Sequence, residues 1–352
     1  MNHVPNGSHA PATPDRDKVE ERLARGLLGQ WYAVAASVDV QPKSTHAVSV
    51  LGRKLVLWRD PAGSVHCVED YCPHRGAPLS RGVVMDQGLS CRYHGVTLDG
   101  DGTIVKVPAL PECTLEGRRA IDGFKVAEAG GAVFIYMPSV DRPEAPEFVA
   151  PPEFTSPDWA SFLCMARWDC SYRYALDNLA DPMHGCYLHA ESFTLSEGEK
   201  QDTLRIERLD AGFRVERVAQ QDVNFDWTEM VIEPAETYCR LDIPYPASAG
   251  PGGVFRIIGF VTPLDENSCF VFFWRCRQVT GLARESWRFL YRTTWEARHW
   301  HVLEQDREIL EAMPAEARRR EMLYQHDIGV TRMRQIMART AERQIAAEAS
   351  AG

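Results

Sequence analysis

Long apolar runs are missing from this chain: none approaches the roughly 18 residues of a membrane-spanning helix, so no membrane passage is expected. Positive charge is also in deficit. Lys and Arg total 39 against 49 Asp and Glu, for a formal net charge of −10, and such a surface argues against a nucleic-acid partner. The opening MNHVPNGSHAPATPDRD has neither a basic leader nor an apolar stretch, so no secretory signal is read there. Residues 1–17 are expected to form a disordered tail, with His3 and His9 solvated in it. A cytoplasmic location follows as the expectation, with the ten cysteines kept reduced.

What remains is a globular composition, 45% apolar and 25% charged over 352 residues, enough for two domains. Two mixed pairs stand out: Cys72-Pro73-His74-Arg75-Gly76 and, after a sixteen-residue gap, Cys91-Arg92-Tyr93-His94-Gly95. Each tight loop offers one thiolate and one imidazole. Two such loops can divide their ligands by type, both sulfurs to one metal and both nitrogens to its neighbour, as a Rieske [2Fe–2S] centre requires. Zinc is the competing occupant, but zinc modules group like ligands as C-x₂₋₄-C and H-x₃₋₅-H. Here every pair is mixed, so a single-electron relay is the expectation. The other eight cysteines are scattered singly and are expected to be small buried hydrophobes, with Cys186 the exception because it lies inside a second motif.

Short β-rich runs separated by glycine turns surround the two loops, from Trp31 to Tyr136, and indicate an antiparallel β domain. An amphipathic stretch, Val19–Leu28, precedes them. The run SVDRPEAPEFVAPP (139–152) has no hydrophobic period and reads as a linker. The expected division is 18–148 for the cluster domain with its leading helix and 149–352 for the second domain. In the latter, a helix over Tyr172–His189 should be followed by strands at Thr203–Glu207, Phe213–Val218, Tyr238–Ile243, Val254–Val261 and Cys269–Cys276. Two long helices, near Ala283–Met313 and Ala315–Ala347, should close the chain, with Arg318-Arg319-Arg320 on a solvated face. The expected class is α+β: an N-terminal all-β domain, then an α+β domain whose central antiparallel sheet is covered by helices.

The second motif is Asp177-Asn178-Leu179-Ala180-Asp181-Pro182-Met183-His184-Gly185-Cys186-Tyr187-Leu188-His189. Two imidazoles and one carboxylate on one face of an iron leave positions open for dioxygen and solvent. His184 and His189 are five residues apart, about 140° on an ideal helix, so both can bind one metal only if the helix breaks. Pro182 and Gly185 supply the means. Asp181 has a competing role as helix cap ahead of Pro182. For the carboxylate, Asp306 lies within about 60° of Trp295, His299, Val302, Leu303, Ile309, Leu310 and Met313 on the helical wheel, whereas Glu304, Glu308 and Glu311 lie opposite. A charge centred in an apolar stripe is costly unless paired or metal-bound. Asp306 is therefore the expected third ligand, with His299 as alternate.

Taken together, Cys72-x-His74, Cys91-x₂-His94 and Asn178-x₂-Asp181-x₂-His184-x₄-His189 resemble the Rieske non-heme iron oxygenases, in particular their terminal oxygenase (alpha) subunits. Gln305-Asp306-Arg307-Glu308-Ile309-Leu310-Glu311 resembles the ligand helix of shorter members such as vanillate O-demethylase, phenoxybenzoate dioxygenase and dicamba monooxygenase. The resemblance covers about residues 25–345. It implies Cys72 and Cys91 on one iron of a [2Fe–2S] Rieske cluster, His74 and His94 on the other, and a mononuclear Fe(II) held by His184, His189 and Asp306. It implies O2 as co-substrate, electrons from NAD(P)H through a separate reductase (in some members through a ferredoxin), and a homotrimer in which one subunit's cluster serves the next subunit's iron. Asp181 resembles the acidic residue that bridges the two centres, with Asn178 beside it in the catalytic motif. One departure is Val96, where many relatives carry an aromatic.

For the substrate, Phe225, Trp227, Phe260 and Phe272 are candidate pocket residues, and Arg240 or Arg256 is a candidate for a substrate carboxylate. The expected reaction is hydroxylation of a small aromatic compound, by mono- or dioxygenation or through O- or N-dealkylation. The rival is a Rieske electron-transfer protein with an inert second domain.

Overall fold

The computed structural model describes residues 15–192, 195, 198–245, 253–314 and 316–351. Most of the expected tail, including His3 and His9, lies outside the described residues, while Arg16 and Asp17 already belong to the helix Arg16–Arg25. Among the described residues no helix is long and apolar enough to cross a membrane.

Three antiparallel sheets build the first part of the chain. Gln30–Ala36 pairs with Ala132–Met137, which pairs with Val126–Ala129. A second sheet contains Thr45–Val50, Arg53–Arg59, Val65–Glu69 and Gly123–Phe124, with the first cysteine–histidine loop following Glu69; a third, of four short strands between Val83 and Lys106, carries the second loop. All six residues of Ala132–Met137 are buried. Side chains alternate across a strand, so Val133, Ile135 and Met137 pack with Leu55 and Leu57 while Phe134 and Tyr136 pack with Trp31, Phe260 and Trp274. This strand is shared between two cores, which is why its sequence is a continuous apolar run.

The second part is a seven-stranded antiparallel sheet in the order Trp159–Trp168, Cys269–Gln278, Gly253–Pro263, Tyr238–Tyr245, Trp227–Val231, Gly212–Arg217, Leu204–Leu209. One face packs on the Trp31–Phe134 layer. The helices Tyr172–Leu179, Glu296–Ala312 and Ile328–Ala351 contribute to the core on the other face. The helix Arg16–Arg25 contributes Val19 and Leu23 to that same core, and its Arg22 pairs with Glu348 at 2.7 Å.

Several local expectations need correction. Strands Trp159–Trp168 and Trp227–Val231 were not expected, because Cys164 to Trp168 and the acidic Glu229 interrupt any simple alternation. The segment 143–151 has no helix or strand, yet it is packed: Pro146 accepts from the Trp31 indole at 3.2 Å and the Val149 N–H donates to Glu236 at 3.1 Å. The last helix starts only at Ile328. Arg318 is not on a solvated helix face: it lies in a short 3₁₀ turn, its side chain is 13% exposed, and it pairs with Asp177.

Candidate metal centres

The two cysteine–histidine loops are near copies of each other. In one, the Cys72 N–H donates to Ala77 and the Gly76 N–H donates back to Cys72, both at 2.8 Å; in the other, Cys91 donates to Val96 at 2.8 Å and Gly95 to Cys91 at 2.9 Å. Each loop closes through a glycine in the left-handed region, Gly76 at φ 76° and Gly95 at φ 75°. A Cβ on Gly95 would sit 2.6 Å from Pro108, so that position tolerates glycine alone. The loops separate their donors by type. Cys72 and Cys91 are buried and close enough to interact, and burial with the Cys91 neighbour pushes the Cys72 thiol up. The His74 and His94 rings are exposed, with centroids 4.6 Å apart. Tyr93 lies against His94 at 3.9 Å and Arg75 caps Tyr93. Val96, the departure from the family pattern, is buried in the core behind the loop.

The second constellation is assembled from distant segments. The helix Tyr172–Leu179 ends, the chain turns through Asp181-Pro182-Met183, and helix resumes for only Gly185–Leu188. The break at Pro182 precedes both histidines rather than separating them. His184 and His189 flank the short turn Gly185–Leu188, and the backbone leaves the helix at His189 (φ −101°, ψ 24°), so the chain unwinds at His189 and not between the two. The buried face of Glu296–Ala312 brings Asp306, 8% exposed, to meet them. Asp306 Oδ1 lies 3.3 Å from His189 Nε2 and 3.6 Å from His184 Nε2. The three donor atoms all fall within 4.8 Å of one another.

Each imidazole is oriented through its other nitrogen. His184 Nδ1–H donates to the Asp181 carbonyl at 2.6 Å, and His189 Nδ1–H donates to Gln305 Oε1 at 3.0 Å. Both Nε2 lone pairs therefore face the Asp306 carboxylate, which Asn178 Nδ2 holds at 3.1 Å. Lone pairs and an anion converging in a buried site repel unless a cation sits among them, so the donor set fits a divalent metal. Burial pulls the His189 pKa down, but Asp306 and Gln305 more than reverse this and leave it raised. The Asp181 carboxylate accepts from the Met183 N–H at 2.7 Å; it thus fixes the turn that presents His184.

A cavity of about 70 Å³ opens beside the triad. Strand alternation decides which expected pocket residues reach it. Phe225 does, together with Leu241, Phe255 and Phe273. Phe260 and Phe272 do not: they project to the opposite sheet face and pack with Trp274 and Trp31. Trp227 is instead covered by Arg214 at 4.5 Å. Arg240 and Arg256 also face away, both bound to the buried Glu153. His299 lines the cavity, where burial and then Arg275 push its pKa well below the ordinary value and keep it neutral. Cys186 is buried and donates to the Met183 carbonyl rather than joining the triad. Among the other singly placed cysteines, all are buried but Cys113, which is half-buried.

Two residues of this site escape a reading by motif. Gln305 adjoins Asp306 but matters through its hydrogen bond to His189. Arg275 sits in the apolar strand Cys269–Gln278, and its alternation with Val271 and Phe273 is the signal that could have placed it on the cavity face.

With this geometry established, likeness to known proteins can be assigned to specific parts. The Rieske [2Fe-2S] domain matches residues 30–125 and the vanillate O-demethylase oxygenase C-terminal domain matches residues 168–343, half of the chain. The chain is 36% identical over 169 residues to a vanillate O-demethylase oxygenase subunit of Pseudomonas sp. (strain HR199 / DSM 7063), covering 47% of this chain and 46% of that one. A second such subunit, of Pseudomonas sp. (strain ATCC 19151), is 27% identical over 85% of this chain and 98% of its own. The chain spans about half or less of the length of the first four curated relatives it matches. The solved structure of dicamba monooxygenase bound to dicamba has the same fold, with TM-score 0.73 and 20% identity over 90% of this chain and 98% of that one. One match holds both cysteine–histidine loops and the other holds His184, His189 and Asp306, so the chain belongs to the Rieske non-heme iron oxygenases, in the group with the vanillate O-demethylase oxygenase C-terminal domain.

Proposed function

We propose that this chain is the terminal oxygenase component of a multicomponent system that hydroxylates or dealkylates an aromatic compound. The observation that carries the reading is the convergence of His184 Nε2, His189 Nε2 and Asp306 Oδ1 beside an apolar cavity. Cys72 and Cys91 would hold one iron of the cluster, His74 and His94 the other, and His184, His189 and Asp306 the mononuclear Fe(II). These groups supply one-electron delivery and dioxygen activation when bound.

The chain's own residues orient, insulate and connect. Asn178 and Gln305 fix Asp306 and His189, so that two imidazoles and one carboxylate stay on one side of the site. Leu241, Phe255 and Phe273 keep the opposing wall apolar and receive a ring. Asp181 would link the centres: its carbonyl holds His184, and its half-buried carboxylate remains as the group to which a Rieske histidine of a neighbouring subunit would hydrogen-bond. The exposure of His74 and His94 supports that docking, and a homotrimer is the assembly proposed for it. Both vanillate relatives are oxygenase subunits by name; this supports electrons entering from NAD(P)H through a separate reductase, directly or by a ferredoxin. The cytoplasm is the proposed compartment.

The test is iron and acid-labile sulfide per chain, followed by reductase-dependent O2 uptake over a panel of aromatic acids, aryl ethers and neutral arenes. About three irons and two sulfides, with uptake stimulated by a panel member, are expected. Two irons and no stimulation would make the chain an electron carrier.

A further inference from the structure

The cavity next to the triad contains a buried cation that pairs with no carboxylate among the described residues. Arg275 is 3% exposed and lines the same cavity as His184, His189 and Asp306. Its neighbours on the adjoining strands are Phe162 and Ile257, and Trp300 lies 5.6 Å from its guanidinium. Its Nη2 donates to the His299 carbonyl at 3.2 Å, but its buried Nη1 has no acceptor. Among the described residues no carboxylate lies within 4.0 Å of it, whereas Arg240 and Arg256, on the opposite face of the sheet, are both paired with carboxylates. The contrast matters, because a buried guanidinium cannot lose its charge as a lysine or histidine can.

A buried, unmatched charge is a cost that folding alone does not justify. The adjoining strands have apolar residues at the paired positions, Phe162 and Ile257, so nothing in the packing demands arginine. Its planar fork is suited to donating two parallel hydrogen bonds to a carboxylate or sulfonate. The other acid and amide groups that line the cavity belong to the triad and its Asn178 partner.

We infer that Arg275 is the anchor for an anionic substituent on the substrate, so that this oxygenase takes aromatic acids rather than neutral arenes. The inference rests on the oxygenase reading but concerns what enters the cavity, and binding tests it without turnover. The anion would supply the missing partner of Nη1 and set which ring carbon or alkyl group faces the triad. Phe255 and Phe273 would hold the ring between those two ends.

The experiment compares benzoate, benzenesulfonate and 4-methoxybenzoate with benzamide and anisole on the iron-loaded full chain. Wild type, Arg275→Met and Arg275→Lys are followed by ligand-dependent Tm and by equilibrium dialysis. Wild type should bind at least one acid about a hundredfold more tightly than its neutral counterpart. Arg275→Met should lose that preference, keep its iron and sulfide content, and show an unchanged or raised Tm without ligand, because the substitution removes an unpaired buried charge. Arg275→Lys should recover part of the acid preference. A lowered ligand-free Tm in Arg275→Met, with acid and neutral probes bound alike by wild type, would make Arg275 a structural residue and overturn the inference. Acid-selective binding without any O2 uptake would uphold the anchor and defeat the oxygenase assignment instead.

Discussion

His74 and His94 stand exposed at the protein surface, whereas His189 keeps 2% of its surface and Asp306 8%. The first pair comes from loops only sixteen residues apart; the triad spans residues 184 to 306. The cluster site is local, repeated and open. The triad is long-range, irregular and enclosed. An electron relay gains from a surface that a partner can approach, while dioxygen chemistry gains from a dry wall that excludes side reactions. The two regions also differ in what supports their histidines. At the cluster, neighbouring rings do so, Tyr93 on His94; at the triad, the second ring nitrogens are hydrogen-bonded to Asp181 and Gln305.

This contrast can be broken most severely at the carboxylate. Asp306→Ala should reduce iron from about three to about two per chain and bring O2 uptake below detection, leaving the cluster's visible absorption intact. Loss of that absorption too would show that the two sites are not independent. Next, Asp181→Asn retains an oxygen for the Met183 N–H, so both centres should fill while turnover falls at least about a hundredfold. Wild-type turnover in this variant would remove Asp181 from the electron route. A smaller effect is expected from Gln305→Leu, which frees the His189 ring: iron affinity in chelator competition should weaken about ten- to a hundredfold, with cluster content unchanged.

The smallest effects fall on the loops. Gly95→Ala adds a Cβ against Pro108 at a positive φ and should cost about 1–3 kcal/mol, read from denaturant midpoints. Gly76→Ala meets only the edge of the exposed Tyr71 ring, at 3.1 Å, and should cost about 1 kcal/mol. Equal costs would mean that the two loops are symmetric in energy as well as in hydrogen bonding.

Legibility followed the range of the interactions. Cys72, His74, Cys91 and His94 could be named because loop chemistry is written in adjacent residues. The helix break ahead of His184 was readable because Pro182 marks it. Asp306 emerged from helical periodicity, since a lone charge in an apolar stripe is conspicuous. The pocket was read poorly. Phe260, Phe272, Arg240 and Arg256 all belong to the far face of the sheet, because a strand assigns faces by parity and parity needs a fixed reference. Strand Trp159–Trp168 went unseen for a related reason: its pairing partner is Cys269–Gln278, about a hundred residues later.

The amino-acid order alone determined the donor types, the two glycine-closed loops, the proline break and the sign of the buried charge at Asp306, since each depends on residues within a few turns of backbone. Only tertiary structure decided that Gln305 orients His189 and that Arg275 lines the cavity without a counter-ion. Those facts depend on which face each strand presents and on which helix lies over it, and packing across more than a hundred residues sets both.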